Sequence, residues 1–195
     1  MKHGSQLPLE RCPHCNVAKP SLKLQWQSAS KDHAGHNPTF WSIYNCMSCG
    51  GMTMARSIGG QQDDIAHIWP TPVSVSDSIP NRARDYLSQA VASISAQAGA
   101  VMLADSAIDS MLKDKGYKDG VLYSRIDAAA KDHLITIEMS AWAHEIRLDA
   151  NDQRHADDSA QLPTAADANK AVEFASALAQ FLYVLPARVE RGRKP

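Results

Sequence analysis

Apolar and polar positions change their period partway along the chain. In the first third they alternate in short runs: Leu22–Gln27 and Phe40–Asn45 have strand composition, and Met52–Ile58 offers a third strand. The polar segment Lys31–Pro38 would form the tip of a hairpin between the first two. After Pro80 the alternation stops and a helical period takes over. Ala83, Leu87, Ala90, Val91 and Ile94 mark one face of a first helix over about Asn81–Ala98. Val101, Ala104, Ile108, Met111 and Leu112 mark a second, which begins after the break at Ala98-Gly99 and closes at Lys115-Gly116, a C-terminal glycine signal. A third is expected over about Val121–Asp132, and a fourth from near Leu134 carrying Ile137, Ala141 and Trp142. The last runs over about Ala165–Leu185 with Val172, Ala175, Leu178, Phe181, Leu182 and Leu185 inward, and Pro186 should stop it. The alanines on these faces imply close helix packing.

This pattern predicts an α+β chain: a small N-terminal ribbon of short antiparallel strands over residues 1–60, then a mainly helical bundle over 80–187. Residues 61–79 read as a connector, polar at Gly59–Asp64 and extended by the prolines of Trp69-Pro70-Thr71-Pro72. Residues 188–195 read as a frayed basic tail. Charge adds little: 20 Lys+Arg against 21 Asp+Glu gives a net −1, which builds no strong field toward nucleic acid. The opening Met1–Glu10 has no apolar core of a secretory signal, and no run of about 18 apolar residues suggests a membrane span. A cytoplasmic protein is the resulting expectation.

Four cysteines change the picture, because all fall within the first 50 residues. Cys12-Pro13-His14-Cys15 and Cys46-Met47-Ser48-Cys49-Gly50-Gly51 are two Cys-x-x-Cys knuckles, each able to aim two thiolates at one point, and together they make a tetrahedral Cys₄ set. Pro13 pre-sets the first turn, and Gly50 and Gly51 allow positive φ after the second. One structural Zn²⁺ on Cys12, Cys15, Cys46 and Cys49 is the expected cofactor; a redox dithiol and an iron centre are the rival readings. His33 and His36 fall on the hairpin tip and are expected to be solvated.

A second set of polar residues lies on the fourth helix. If that helix continues, Arg147, Asn151 and His155 are spaced i, i+4, i+8 on one face. A fixed cation, an amide and an imidazole in a row fit a phosphodiester: arginine neutralises non-bridging oxygens and histidine moves a proton, with no metal required. The bland reading is that Asp149-Ala150-Asn151-Asp152 ends the helix and these groups are solvated or paired. Asp105 and Asp109 are expected on a solvated face of the second helix. Trp26, Trp41 and Tyr44 are expected to form the ribbon's small core, with base stacking as the alternative.

The order of features resembles a known family. It comprises the two knuckles, the Ile79-Pro80 entry to a helix, Leu122 and Ile126, the Arg…Asn…His stretch, and Leu182-Tyr183 with Pro186 near the end. The chain resembles domain-of-unknown-function family 4145, in which a zinc ribbon often precedes helices akin to the HEPN domains. That resemblance implies a HEPN-like bundle, a homodimer through the helical domain, and an Arg…His centre on Arg147, Asn151 and His155. Many HEPN domains are metal-independent RNases of toxin–antitoxin and phage-defence systems; others are inactive binding modules. In this chain Ala150 stands where the family has glycine, and Ala104-Asp105-Ser106 stands where a basic residue is common. The implied function is therefore a metal-independent RNase or RNA-binding component, with a non-catalytic protein- or nucleic-acid-interaction module as the alternative.

Overall fold

The computed structural model describes residues 1–72, 75–155 and 161–193, with the side chains of 147–155 left out of the description. The chain forms two compact units, Met1–Val73 and Ser74–Pro195.

The first unit is a four-stranded antiparallel sheet in the order β1-β2-β3-β4. Its strands are β1 (Leu22–Ser30), β2 (Thr39–Cys46), β3 (Met52–Ile58) and β4 (Ile65–Trp69). Residues paired across strands project on the same side, so the register sorts the sheet into two faces. On one face Leu24, Tyr44 and Thr53 align, as do Gln27, Ser42, Ala55 and Ile68. Leu7, Leu22, Tyr44 and Ala55 are buried there with Cys12 and Cys46. The other face carries the row Trp26, Ile43, Met54, Trp69 and beside it Ser28, Trp41, Arg56, His67.

Two expectations change in this unit. Ile65–Trp69, expected within the connector, is the edge strand β4. Only pairing with β3 reveals it, since five residues after Asp63-Asp64 carry too little alternation to stand out. Of the three aromatics expected in the ribbon core, only Tyr44 is there, at 0% exposure; Trp26 is 51% exposed and Trp41 shares its face. The bulge between Leu24 and Trp26 shifts β1 by one residue, which moves Trp26 to the open side.

The second unit is helical: α1 (Asn81–Ala92), α2 (Gln97–Asp114), α3 (Leu122–Lys131), α4 (Ile137–His155), α5 (Ala165–Ala179), a π turn (Gln180–Val184) and α6 (Leu185–Arg193). Helix α2 is central and touches α1, α3, α4 and α5. Its Ala100, Ala104 and Ala107 are fully buried, as are Ala83 and Ala90 of α1 and Ala168 and Ala175 of α5, so small side chains set the close approach. Lys115-Gly116 ends α2 as expected: Gly116 takes φ 105° and Tyr117 N–H bonds Leu112 O. Helix α5 starts at a capping box, with Thr164 Oγ1 accepting from Asp167 N–H and the Asp167 carboxylate accepting from Thr164 N–H.

Four details depart from expectation. Helix α1 ends at Ala92, and a turn through Ala96 separates it from α2. Asp105 and Asp109 are not a solvated face: Asp105 is 1% exposed, and Asp109 pairs with Arg125 at 2.6 Å and Lys113 at 2.5 Å. Pro186 does not stop the last helix. The π turn just before it joins Leu185 N–H to Gln180 O, and this extra residue per turn relieves the clash that a proline ring makes with the preceding turn. The segment expected to be a frayed tail is helical to Arg193. Ala165–Arg193 is therefore one rod of 29 residues, long and apolar enough by length and composition to cross a membrane. Its buried side, including Ala171, Phe174 and Leu178, forms part of the unit's core.

Candidate functional site

The four cysteines come from two similar turns. In the first, Asn16 N–H bonds Cys12 O at 3.0 Å and Asn16 takes φ 57°. In the second, Gly50 N–H bonds Cys46 O at 2.8 Å and Gly50 takes φ 75°. Gly51, expected to share the positive φ, does not; it is required for space instead, since a Cβ there would sit 2.5 Å from the His14 ring. That ring bridges the turns, its Nε2 lying 2.8 Å from Met52 O.

The Sγ atoms of Cys12, Cys15, Cys46 and Cys49 all lie within 4.8 Å of one another, and Cys12 and Cys49 are 4.0 Å apart. A tetrahedral Zn–S₄ centre with bonds of about 2.3 Å has S···S edges of about 3.8 Å. The set therefore matches a metal site, and the cysteine cluster fits a zinc ribbon. Backbone amides point at the sulfurs: His14 N–H at Cys12 and Gly51 N–H at Cys49, each at 3.4 Å. Such donors stabilise thiolates. Burial works against ionisation of Cys46, but amide hydrogen bonds from Cys49 and Ser48 outweigh it and hold the thiol at about 7. Burial pushes the Cys15 thiol up to about 12, and the neighbouring cysteines reinforce the effect. His33 and His36 sit exposed on the hairpin tip, where Asp32 Oδ1 accepts from the Ala34 and His36 amides.

The open face of the sheet holds a second constellation. Trp41 and Trp69 stack with ring centroids 6.1 Å apart, and His67 stacks on Trp69 at 5.5 Å. The Arg56 guanidinium lies over both indoles, at 5.7 and 5.8 Å. Of these, sequence reasoning singled out Trp41 alone. The others belong with it through strand register, which no local pattern encodes.

In the helical unit, a cavity between α1, α2 and the start of α3 is lined by Arg82, Tyr86, Asp105, Asp109, Ser110 and Arg125. Its main cation is already committed, since Arg125 donates to Asp109, Lys118 O and Gly120 O. Helix α4 runs through Arg147, Asn151 and His155, so the positions keep their i, i+4, i+8 spacing, while their side chains lie outside the described residues. Glu145, earlier on the same helix, is paired with Lys170 at 2.5 Å.

The structure thus defines an α+β protein with a four-cysteine sheet unit and a helical unit. Residues 88–194, more than half of the chain, match the family described as Domain of unknown function (DUF4145), and the chain belongs to that family. The sheet unit lies outside the matched residues. No curated protein and no solved structure matches the chain.

Proposed function

We propose that this DUF4145 protein binds one structural Zn²⁺ through Cys12, Cys15, Cys46 and Cys49, and that it acts on RNA. The clustering of four thiols within 4.8 Å carries the metal assignment, and four protein ligands leave no open position for catalysis at the metal. The RNA assignment rests on the HEPN-like reading of the helical unit. The unbroken course of α4 to His155 supports it, because the rival reading ended the helix near Asp149. In this scheme Arg147 neutralises charge at the phosphate, His155 is the general acid/base and Asn151 orients the substrate. Phe181, Leu185 and Val189, exposed at 43%, 48% and 55% with i, i+4, i+8 spacing, support self-association through the helical unit. The setting we assign is a cytoplasmic, defence-type or toxin–antitoxin-type system.

The second reading is a non-catalytic module that binds RNA or a protein partner. One observation favours it: Asp105 is buried in α2, at the place where the family resemblance implies a cation. A cleavage assay on labelled mixed RNA without added divalent metal separates the two. Cleavage by wild type that Arg147→Ala/His155→Ala loses establishes the RNase; no cleavage by folded, zinc-loaded wild type leaves the binding module.

A further inference from the structure

The open face of the sheet is neither core nor an ordinary polar surface. Three of its four strands contribute indoles, at Trp26, Trp41 and Trp69, and Met52 and Ile58 add exposed apolar surface at 49% and 66%. No Asp or Glu occurs in any of the four strands, whose ionisable side chains besides Cys46 and Tyr44 are Lys23, Arg56 and His67. Lys23 aligns with Asn45 and Met52, so all three basic groups belong to the open face. Arg56 forms no hydrogen bond or ion pair among the described residues; its Nε is buried without a partner, and only the two indoles hold the guanidinium.

This chemistry narrows the occupant. A cationic ligand is disfavoured because the Arg56 guanidinium beside both indoles would repel it. A purely apolar partner would bury Arg56 without a counter-charge, which is costly. A polymer carrying planar rings and regularly spaced anions satisfies both halves: rings stack on indole and imidazole, and a phosphate takes the unpaired donors of Arg56. A duplex hides its ring faces, whereas a single strand presents them.

We propose that the open face of the sheet binds single-stranded nucleic acid, bases stacking on Trp41, Trp69 and His67 and a phosphate pairing with Arg56. A four-stranded face takes about two or three bases. Lys23 and Trp26, at the far side, extend the track. The proposal deepens the RNA reading and rests on it for the polymer's identity, while the site itself stands on the ribbon alone.

The test is fluorescence anisotropy of labelled oligo-U and oligo-dT of about twelve nucleotides, titrated with the full-length zinc-loaded protein at roughly 50 mM salt. Trp41→Ala/Trp69→Ala should weaken binding at least about tenfold, while Trp41→Phe/Trp69→Phe keeps most of it. Arg56→Gln should weaken binding and reduce the dependence on salt by about one phosphate contact. Should the alanine variant misfold, saturable quenching of wild-type tryptophan emission by oligo-U, lost on Arg56→Gln, reports the same contact. Oligo-U binding that neither the Trp41/Trp69 alanine pair nor Arg56→Gln weakens overturns this inference and leaves the RNA reading intact. Binding of oligo-dT alone, lost in those variants, supports the inference and overturns the RNA reading. Binding of blunt duplex as tight as single strand overturns the stacking assignment, and absence of binding to any oligonucleotide overturns it in favour of a polypeptide occupant.

Discussion

Replacing Cys46 by alanine should dismantle the sheet unit and leave the helical unit standing. Cys46 is 1% exposed at the end of β2, opposite Leu22, so its sulfur ties the second knuckle to the unit's core. That core is small. Its largest fully buried apolar side chains are Tyr44, Leu7 and Leu22. At about 1.5–3 kcal/mol each, they contribute roughly 5–9 kcal/mol. A structural Zn²⁺ in small domains contributes about 10–16 kcal/mol at neutral pH, so the metal is the larger of the two terms. Losing one of four thiolates removes much of that contribution, and apolar burial does not replace it. Among its described residues the helical unit has its own core of 27 buried side chains, and it contains none of the four cysteines. Three of the four tryptophans, Trp26, Trp41 and Trp69, lie in the sheet unit, so Cys46→Ala should red-shift tryptophan emission. Metal content should fall from one equivalent toward none, while far-UV circular dichroism near 222 nm stays helical. A variant that retains one tightly held zinc, or a zinc-free protein whose sheet amides stay dispersed in ¹H–¹⁵N spectra, would refute the reasoning.

Three further outcomes follow from the geometry. Gly51→Ala places a Cβ 2.5 Å from the His14 ring and breaks its contact with Met52 O; a lost hydrogen bond of about 1 kcal/mol should weaken zinc several-fold in a chelator competition. Tyr183 OH lies 3.0 Å from Met111 O and 2.9 Å from Asp114 Oδ2, so Tyr183→Phe should destabilise the helical unit by about 1–2 kcal/mol in urea denaturation. Burial, then Asp114, raises the Tyr183 pKa above the ordinary tyrosine value of about 10. The stabilisation from that shift is fully present below pH 10 and is lost as pH rises through the folded value, which denaturation midpoints across alkaline pH will show. Thr164→Ala removes the α5 cap and should cost about 1 kcal/mol by the same assay. Thr164 holds the Asp167 carboxyl below the ordinary carboxylate value through backbone, then side-chain, hydrogen bonds; its contribution is present above that ordinary value and lost as pH falls through the folded one.

Much of this protein was legible because the signals are local. The cysteine spacing predicted the thiol cluster, since two intervening residues fix the turn whatever surrounds it. The helical period located α2, α3 and α5 to within a few residues, because alanines and branched residues at that period must share a face. Gly116 marked the end of α2 for the same reason: few other residues adopt its φ of 105° cheaply.

Tertiary structure decided what depends on partners distant in sequence. The edge strand β4 exists through pairing with β3, and a one-residue bulge in β1 put Trp26 outside rather than in the core. Asp105 and Asp109 look like a solvated face by spacing, yet α3 brings Arg125 to Asp109 from 16 residues away. Pro186 reads as a stop, and a π turn that sequence rules do not anticipate carries the helix past it. The Trp41–Arg56–Trp69–His67 group has no motif at all, because three strands contribute to it and only register joins them. Sequence alone thus located most of the elements and the two Cys-x-x-Cys pairs, each of whose geometry lies within a single turn; the faces, and the chemistry they carry, were fixed only when those elements packed.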